Sequence, residues 1–271
     1  MQFSTKTTLV PFLILIVSSL LPHFTDAQIL NIERYRLQRD STKNFIAKAT
    51  GGLNIYNRSA SAESPVNLFG YNWDFNSMYQ PGKHAFVFVS KFDYLKINDS
   101  DFLNFGLLHG RVVFNRDRKS HLEAYTQYSF DNFRGLAPRW IVGGSWRQKV
   151  INSTKSTLIV GIGALKEWET WENPLEEEFV RVSFIKSANY LSLRQSINDF
   201  VDLNTVIYFQ TGYDSDIRTL RNRLSGNINL NTKITDILSF TNSFEFSYED
   251  KPIVPITPFI FAFRTGISLD F

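Results

Sequence analysis

The sequence predicts an all-β protein, an antiparallel up-and-down transmembrane β-barrel of about twelve strands that follows a cleaved signal peptide. Three observations predict it. The first 27 residues have the layout of an export signal. From residue 44 onward, segments of about ten to fourteen residues alternate apolar with polar side chains, and turn residues separate them. The closing segment carries an apolar or aromatic residue at nearly every second position up to Phe271.

The export signal comes first. Lys6 supplies a positive start, and residues 9–21 form an apolar run too short to span a bilayer as a helix. Thr25-Asp26-Ala27 ends in the small residue expected at a cleavage site, so 1–27 is assigned as signal peptide. Removing 27 of the 271 residues leaves 244, still with net charge +3. Residues 28–43 mix charges with Ile and Leu and read as a periplasmic tail or a plug segment. The barrel is assigned to 44–271.

The expected strands are 44–57, 66–79, 85–97, 103–116, 120–132, 138–151, 156–168, 178–197, 203–214, 219–233, 237–250 and 258–271. In 66–79, Phe69, Tyr71, Trp73, Phe75 and Tyr79 share one face, with Gly70, Asn72, Asp74 and Asn76 on the other. In 238–249, Leu238, Phe240, Phe244, Phe246 and Tyr248 oppose Ser239, Thr241, Ser243, Glu245, Ser247 and Glu249. A soluble sandwich also alternates, with its apolar face inward. An apolar face this rich in Phe, Tyr and Trp fits a lipid-facing band with interfacial girdles. Segment 178–197 shifts its apolar face from Val180, Val182 and Phe184 to Leu191, Leu193 and Ile197, which predicts a β-bulge near 186–189. Tight turns such as Gln80-Pro81-Gly82-Lys83 fall at the end holding both termini, and longer connections (58–65, 133–137, 169–177, 251–257) at the other. In the last strand, Phe263, Ile267, Leu269 and Phe271 form a C-terminal β-signal, which the barrel insertion machinery pairs with by strand addition.

Composition excludes several functions. The absence of cysteine removes disulfide scaffolds, thiolate metal sites and cysteine nucleophiles. A net charge of +3 gives no case for nucleic acid as a partner. The four histidines form no close pair, so no metal or cofactor is expected. Glu176, Glu177 and Glu178, with Glu167, Glu169 and Glu172 nearby, read as an acidic outer loop, either solvated or cation-binding. A hydrolase would need His109 or His121 to meet a serine such as Ser129 or Ser145, and no nucleophile elbow surrounds these serines. No catalytic residues are assigned, and the chain is expected not to be an enzyme.

Several segments carry a family resemblance: NIERYRLQRDS (31–41), LKINDSDFLNFG (95–106), YSFDNFRGLAPRW (128–140), LNTKITDILSFTNSFEFSYEDKPIVP (230–255) and the closing FRTGISLDF. In these the chain resembles the bacterial family catalogued as domain of unknown function 481, the salt-induced outer-membrane proteins. The resemblance implies an outer-membrane barrel and no established activity, so it transfers no site residues. With the export signal, it implies the bacterial outer membrane, with membrane lipid and the insertion machinery as expected partners, and the cysteine-free exported chain with its aromatic style suggests a Gram-negative source of the Bacteroidota type.

The polar face then carries the functional reading. It holds Lys48, Asp74, Lys91, Asp93, Arg111, Glu123, Arg139, Arg147, Lys149, Arg181, Arg221, Arg223, Glu245 and Arg264, with basic residues in excess. Arg221, Arg223, Glu245, Arg264, Arg147, Lys149, Glu123 and Asp74 form the expected lumen charge network. One reading is a small channel for polar or anionic solutes. The alternative is a closed structural or interaction barrel, its lumen filled by charge pairs and its outer loops binding ligands.

Overall fold

The computed structural model describes residues 44–59, 65–176 and 178–269. The signal peptide, segment 28–43, Glu177 and Phe271 lie outside the described residues. Twelve strands form one sheet: β1 (Phe45–Ser59), β2 (Pro65–Tyr79), β3 (Ala85–Ile97), β4 (Ser100–Val113), β5 (Ser120–Asp131), β6 (Leu136–Asn152), β7 (Ser156–Glu172), β8 (Phe179–Ser196), β9 (Val201–Asp214), β10 (Thr219–Lys233), β11 (Leu238–Glu249) and β12 (Phe259–Leu269). Each strand pairs antiparallel with the next, in chain order, so the architecture is up-and-down as predicted. A single 3-10 turn, Asn132–Arg134, joins β5 to β6 and ends at Gly135 with φ 74°. A side chain at Gly135 would press on the Glu172 carbonyl oxygen, so both its backbone conformation and its surroundings require glycine.

The sheet curls on itself. Residues from β4, β5, β6, β7, β9, β10 and β11 line one common cavity. The inner face alternates with an outer face that carries large exposed apolar side chains on strand after strand. Trp73, Phe88, Trp140, Trp146, Trp168, Ile185, Phe209, Phe261 and Phe263 are among them. Phe263 and Ile267, from the expected β-signal, lie on this outer face and are exposed.

Three expectations need correction. First, β8 carries no bulge. It keeps one register with β7 from Gln195 to Phe179 and one with β9 from Ser196 to Lys186. Its inner face runs Val180, Val182, Phe184, Lys186, Ala188, Tyr190 and Ser192, while Leu191 faces outward. The apolar face changes sides because the upper interior is itself apolar, not because the strand kinks. The register shifts fall at 95/96, 129/131, 136/139 and 149/151.

Second, Arg181 points outward and is exposed, so it leaves the inner-face set. Third, β7 extends to Glu172, and Glu167 and Glu169 are fully buried on its inner face rather than sitting in an acidic loop.

The interior is not uniformly polar either. Val87, Val89, Leu103, Phe105 and Leu107 pack together on β3 and β4, and Ile141, Leu165 and Ala188 on β6 to β8. At the upper end, the one opposite the chain termini, the connection 250–258 folds inward. Its Val254 is 3% exposed and packs with Leu136 and Trp171, with Val180, Val182, Ile253 and Ile256 around them. That contact explains the apolar start of β8.

Candidate functional site

Alternation puts charged residues on the inner face, and strand register decides which ones meet. The densest group lies toward the upper end. Glu167 on β7 is 0% exposed and receives Arg139 Nη2 from β6 at 2.6 Å, Arg223 Nη1 from β10 at 3.4 Å and Lys186 Nζ from β8. Glu169, two residues on and on the same face, receives Arg139 Nε at 2.9 Å and Arg223 Nη2 at 3.1 Å, while the Trp171 indole N–H donates to it at 3.0 Å. Arg223 also pairs with Glu249, its register partner on β11. Three cations and three carboxylates therefore neutralise each other across five strands. Burying them is tolerable only because they are mutually paired and hydrogen-bonded.

A second group lies nearer the lower end. Glu123 on β5 receives Arg111 Nη1 at 3.2 Å, Arg147 Nη1 at 3.3 Å and the Tyr190 hydroxyl at 3.2 Å. His121 Nε2 lies 3.9 Å from the same carboxylate. The Tyr190 ring from β8 reaches Glu123 because Gly161 on β7 leaves room for it. A Cβ at Gly161 would run into that ring. A third pair joins Arg264 Nη1 to Glu245 at 3.5 Å, and Asn227 donates to Glu245 at 2.9 Å.

Above the networks, Arg221 Nε binds Asp214 at 2.5 Å, and its Nη1 donates to the carbonyls of Lys251 and Pro252. Lys251 Nζ returns bonds to Thr219 Oγ1 and the Leu220 carbonyl at 3.0 and 2.9 Å. Asp250 accepts the Asn222 backbone N–H and its side-chain amide, both at 2.8 Å. Burial raises the Asp250 pKa, but these hydrogen bonds and the neighbouring Lys251 outweigh it, and the carboxyl sits below its ordinary value. The inward fold of 250–258 is thus pinned at its first three residues by polar contacts to β10, and at its far end by the Glu249 N–H donating to the Pro258 carbonyl at 2.9 Å.

Residues 67–253 match the family described as protein of unknown function, DUF481. The chain belongs to this family. No curated protein matches it. Among solved structures, one described as "NanC porin structure in rhombohedral crystal form" aligns over 84% of this chain and 99% of that one, at 10% identity and a TM-score of 0.44.

In this DUF481 chain the structure brings Arg223 together with Glu249, Glu167 and Glu169 rather than with Glu245. It brings Arg147 to Glu123, and Glu245 to Arg264. Arg221 belongs to the mouth. Lys149 Nζ reaches the Arg116 carbonyl in a lower turn at 3.1 Å, and Asp74 accepts from Asn76 on its own strand. Both of these contacts lie outside the two dense groups. His109 Nδ1 lies 3.2 Å from Gln127 Oε1 on β5, and Ser129 and Ser145 are buried on the inner faces of β5 and β6.

Glu167, Glu169, Lys186 and Tyr190 are among the residues that sequence reasoning missed. A signal for the two glutamates was present. Glu167, Glu169 and Trp171 alternate with Trp168 and Thr170, which continues the strand beyond residue 168. Among the described residues, no cluster of three or more His, Asp or Glu is arranged to hold a metal ion.

Proposed function

We propose that this chain is an outer-membrane β-barrel that carries a narrow polar path for small polar solutes beside a charge-locked interior. The membrane reading is supported by the outer face. Exposed Phe, Trp, Tyr, Ile and Leu on strand after strand far exceed what a soluble monomer leaves in one apolar patch. No helix among the described residues is long and apolar enough to cross a membrane, and in this reading the strands do so. The start of β1 and the end of β12 then lie on the periplasmic side, and the exposed alternation of Phe261, Phe263 and Ile267 is the surface offered to the insertion machinery.

One observation carries the path: the interior is uneven. On the β4–β9 side, inner-face residues such as Arg111, Glu123, Arg147, Glu167 and Lys186 are buried. On the β2–β3 and β11–β12 side, Asn72, Asp74, Lys91, Asp93, Ser243, Glu245 and Arg264 are only half-buried. Polar side chains left partly accessible on an inner face are those that meet water. Their charges are mixed, and most of the basic excess read from the sequence is neutralised in the buried networks. The path is therefore expected to discriminate weakly by charge.

A second reading, a closed barrel, is favoured by Arg223. It reaches from β10 to Glu169 on β7 and closes that level of the interior beneath the inward loop 250–258. Conductance of the refolded mature protein in a planar bilayer, with a salt gradient, separates the two. A small, steady conductance supports the path, and Arg264→Ser then moves the reversal potential toward cation preference. A silent bilayer, with heat-modifiable gel mobility confirming folding, overturns the path in favour of the closed barrel.

A further inference from the structure

Beneath the inward loop, between the two dense charge groups, lies a cavity of about 130 Å³. Its wall includes four arginines, Arg111, Arg134, Arg139 and Arg223, against the carboxylates Glu169 and Glu249. Three of the arginines are committed to ion pairs: Arg111 to Glu123, Arg139 to Glu167 and Glu169, and Arg223 to three carboxylates. Arg134 is different. It comes from the 3-10 turn before β6, and its guanidinium lies 5.9 Å from the centre of the Trp171 ring. Among the described residues it makes no ion pair and no side-chain hydrogen bond. Glu249 and Asp131 act on it only at longer range, without a hydrogen bond. A half-buried guanidinium with five donors and a ring face as its close contact is poised for an acceptor, and a carboxylate matches its fork. Trp171 is itself 2% exposed and clamped by Val254 and Leu136, so the platform under Arg134 is rigid.

The same cavity wall holds the complementary vacancy. Gln210 Oε1, from β9, is buried with no hydrogen-bond donor. A buried acceptor without a donor is costly unless a ligand or water supplies one. Ser225 and Ser247, register partners on β10 and β11, add hydroxyls to that wall. The site thus asks for an anion that also carries a donor. A cavity of about 150 Å³ holds benzene, so this one admits roughly six to eight heavy atoms.

We propose that the cavity binds a small hydroxy- or amino-carboxylate, its carboxylate on Arg134 and its hydroxyl or ammonium donating to Gln210. The proposal rests on the cavity and not on a conducting path, so a silent bilayer leaves it standing.

The test is calorimetric titration of the full mature protein, refolded in detergent micelles, with lactate, glycerate and serine. Propionate lacks the donor and glycerol lacks the carboxylate, so these are the controls. At least one of the three acids should bind with a Kd on the order of 1 mM or tighter, and both controls should bind at least tenfold more weakly. Arg134→Gln should raise that Kd at least tenfold. Gln210→Leu should abolish the preference over propionate while keeping carboxylate binding, which preserves the test if one variant fails to fold. No heat from any of the three acids with folded protein overturns the proposal. So does an unchanged Kd in Arg134→Gln, or propionate binding as well as lactate in the parent.

Discussion

Replacing Glu167 by glutamine tests whether the buried network holds the interior together. In the parent, Arg139, Lys186 and Arg223 face Glu167, Glu169 and Glu249, and the six charges sum to zero. Glutamine keeps the shape of the side chain but leaves a net charge of +1 where Glu167 is 0% exposed. Breaking a buried pair by removing one partner costs about 3–5 kcal/mol, because the remaining charge stays desolvated. Glu167 serves three cations, so the upper part of that range is expected. On the folding equilibrium that is about three to three and a half decades. Urea titration of the protein in micelles, read by tryptophan fluorescence and by heat-modifiable mobility, measures it. The double variant Glu167→Gln/Lys186→Met restores neutrality and should recover a substantial part of the loss. A Glu167→Gln protein within about 1 kcal/mol of the parent would refute the reasoning, since a charge so placed cannot lose its partner at so little cost.

Two further outcomes concern the inward loop. Val254→Asp puts a carboxylate against Leu136 and Trp171, replacing apolar burial worth about 1.5–3 kcal/mol with an unpaired charge. Proteinase K should then cut within 251–258 at least tenfold faster while the strands stay folded, and an unchanged rate would mean the loop is not held by that contact. Asp250 gives the loop a pH dependence. Its folded pKa is depressed, so its hold on Asn222 is present above the ordinary carboxylate value and is lost as pH falls through the lower folded one. Cleavage of 251–258 should therefore rise below about pH 4 in the parent, and Asp250→Asn should show the raised rate already at neutral pH.

The fold was largely legible. All twelve strands follow from alternation and turn residues, because each strand shows its two faces within its own span and a hairpin neighbour is set by a short connection. Errors arose where a rule about faces was pushed too far. Val180 and Val182 look lipid-facing because they are apolar, yet they cover an inward loop more than seventy residues away in sequence. The expected strand stops at residue 168, which leaves Glu169 in a loop and joins Glu167 to the acidic run that follows, although the alternation of Glu167, Glu169 and Trp171 continues the strand. The site was legible by composition but not by partnership. Arg147 with Glu123, and Arg264 with Glu245, sit on adjacent strands, and these pairs were within reach.

By itself, then, the amino-acid sequence determined the strand count, the up-and-down order, the residues sharing most inner faces and the aromatic outer surface. Each of these depends on a period of two and on neighbours in the chain. Only the tertiary structure decided that Arg223 on β10 meets Glu169 on β7, that Tyr190 fills the space left by Gly161, and that Arg134 stays uncommitted beside the cavity. Those contacts depend on how far the sheet curls and on register accumulated over several strands. Alternation says which way a side chain points, and the curvature of the whole sheet says what it finds there.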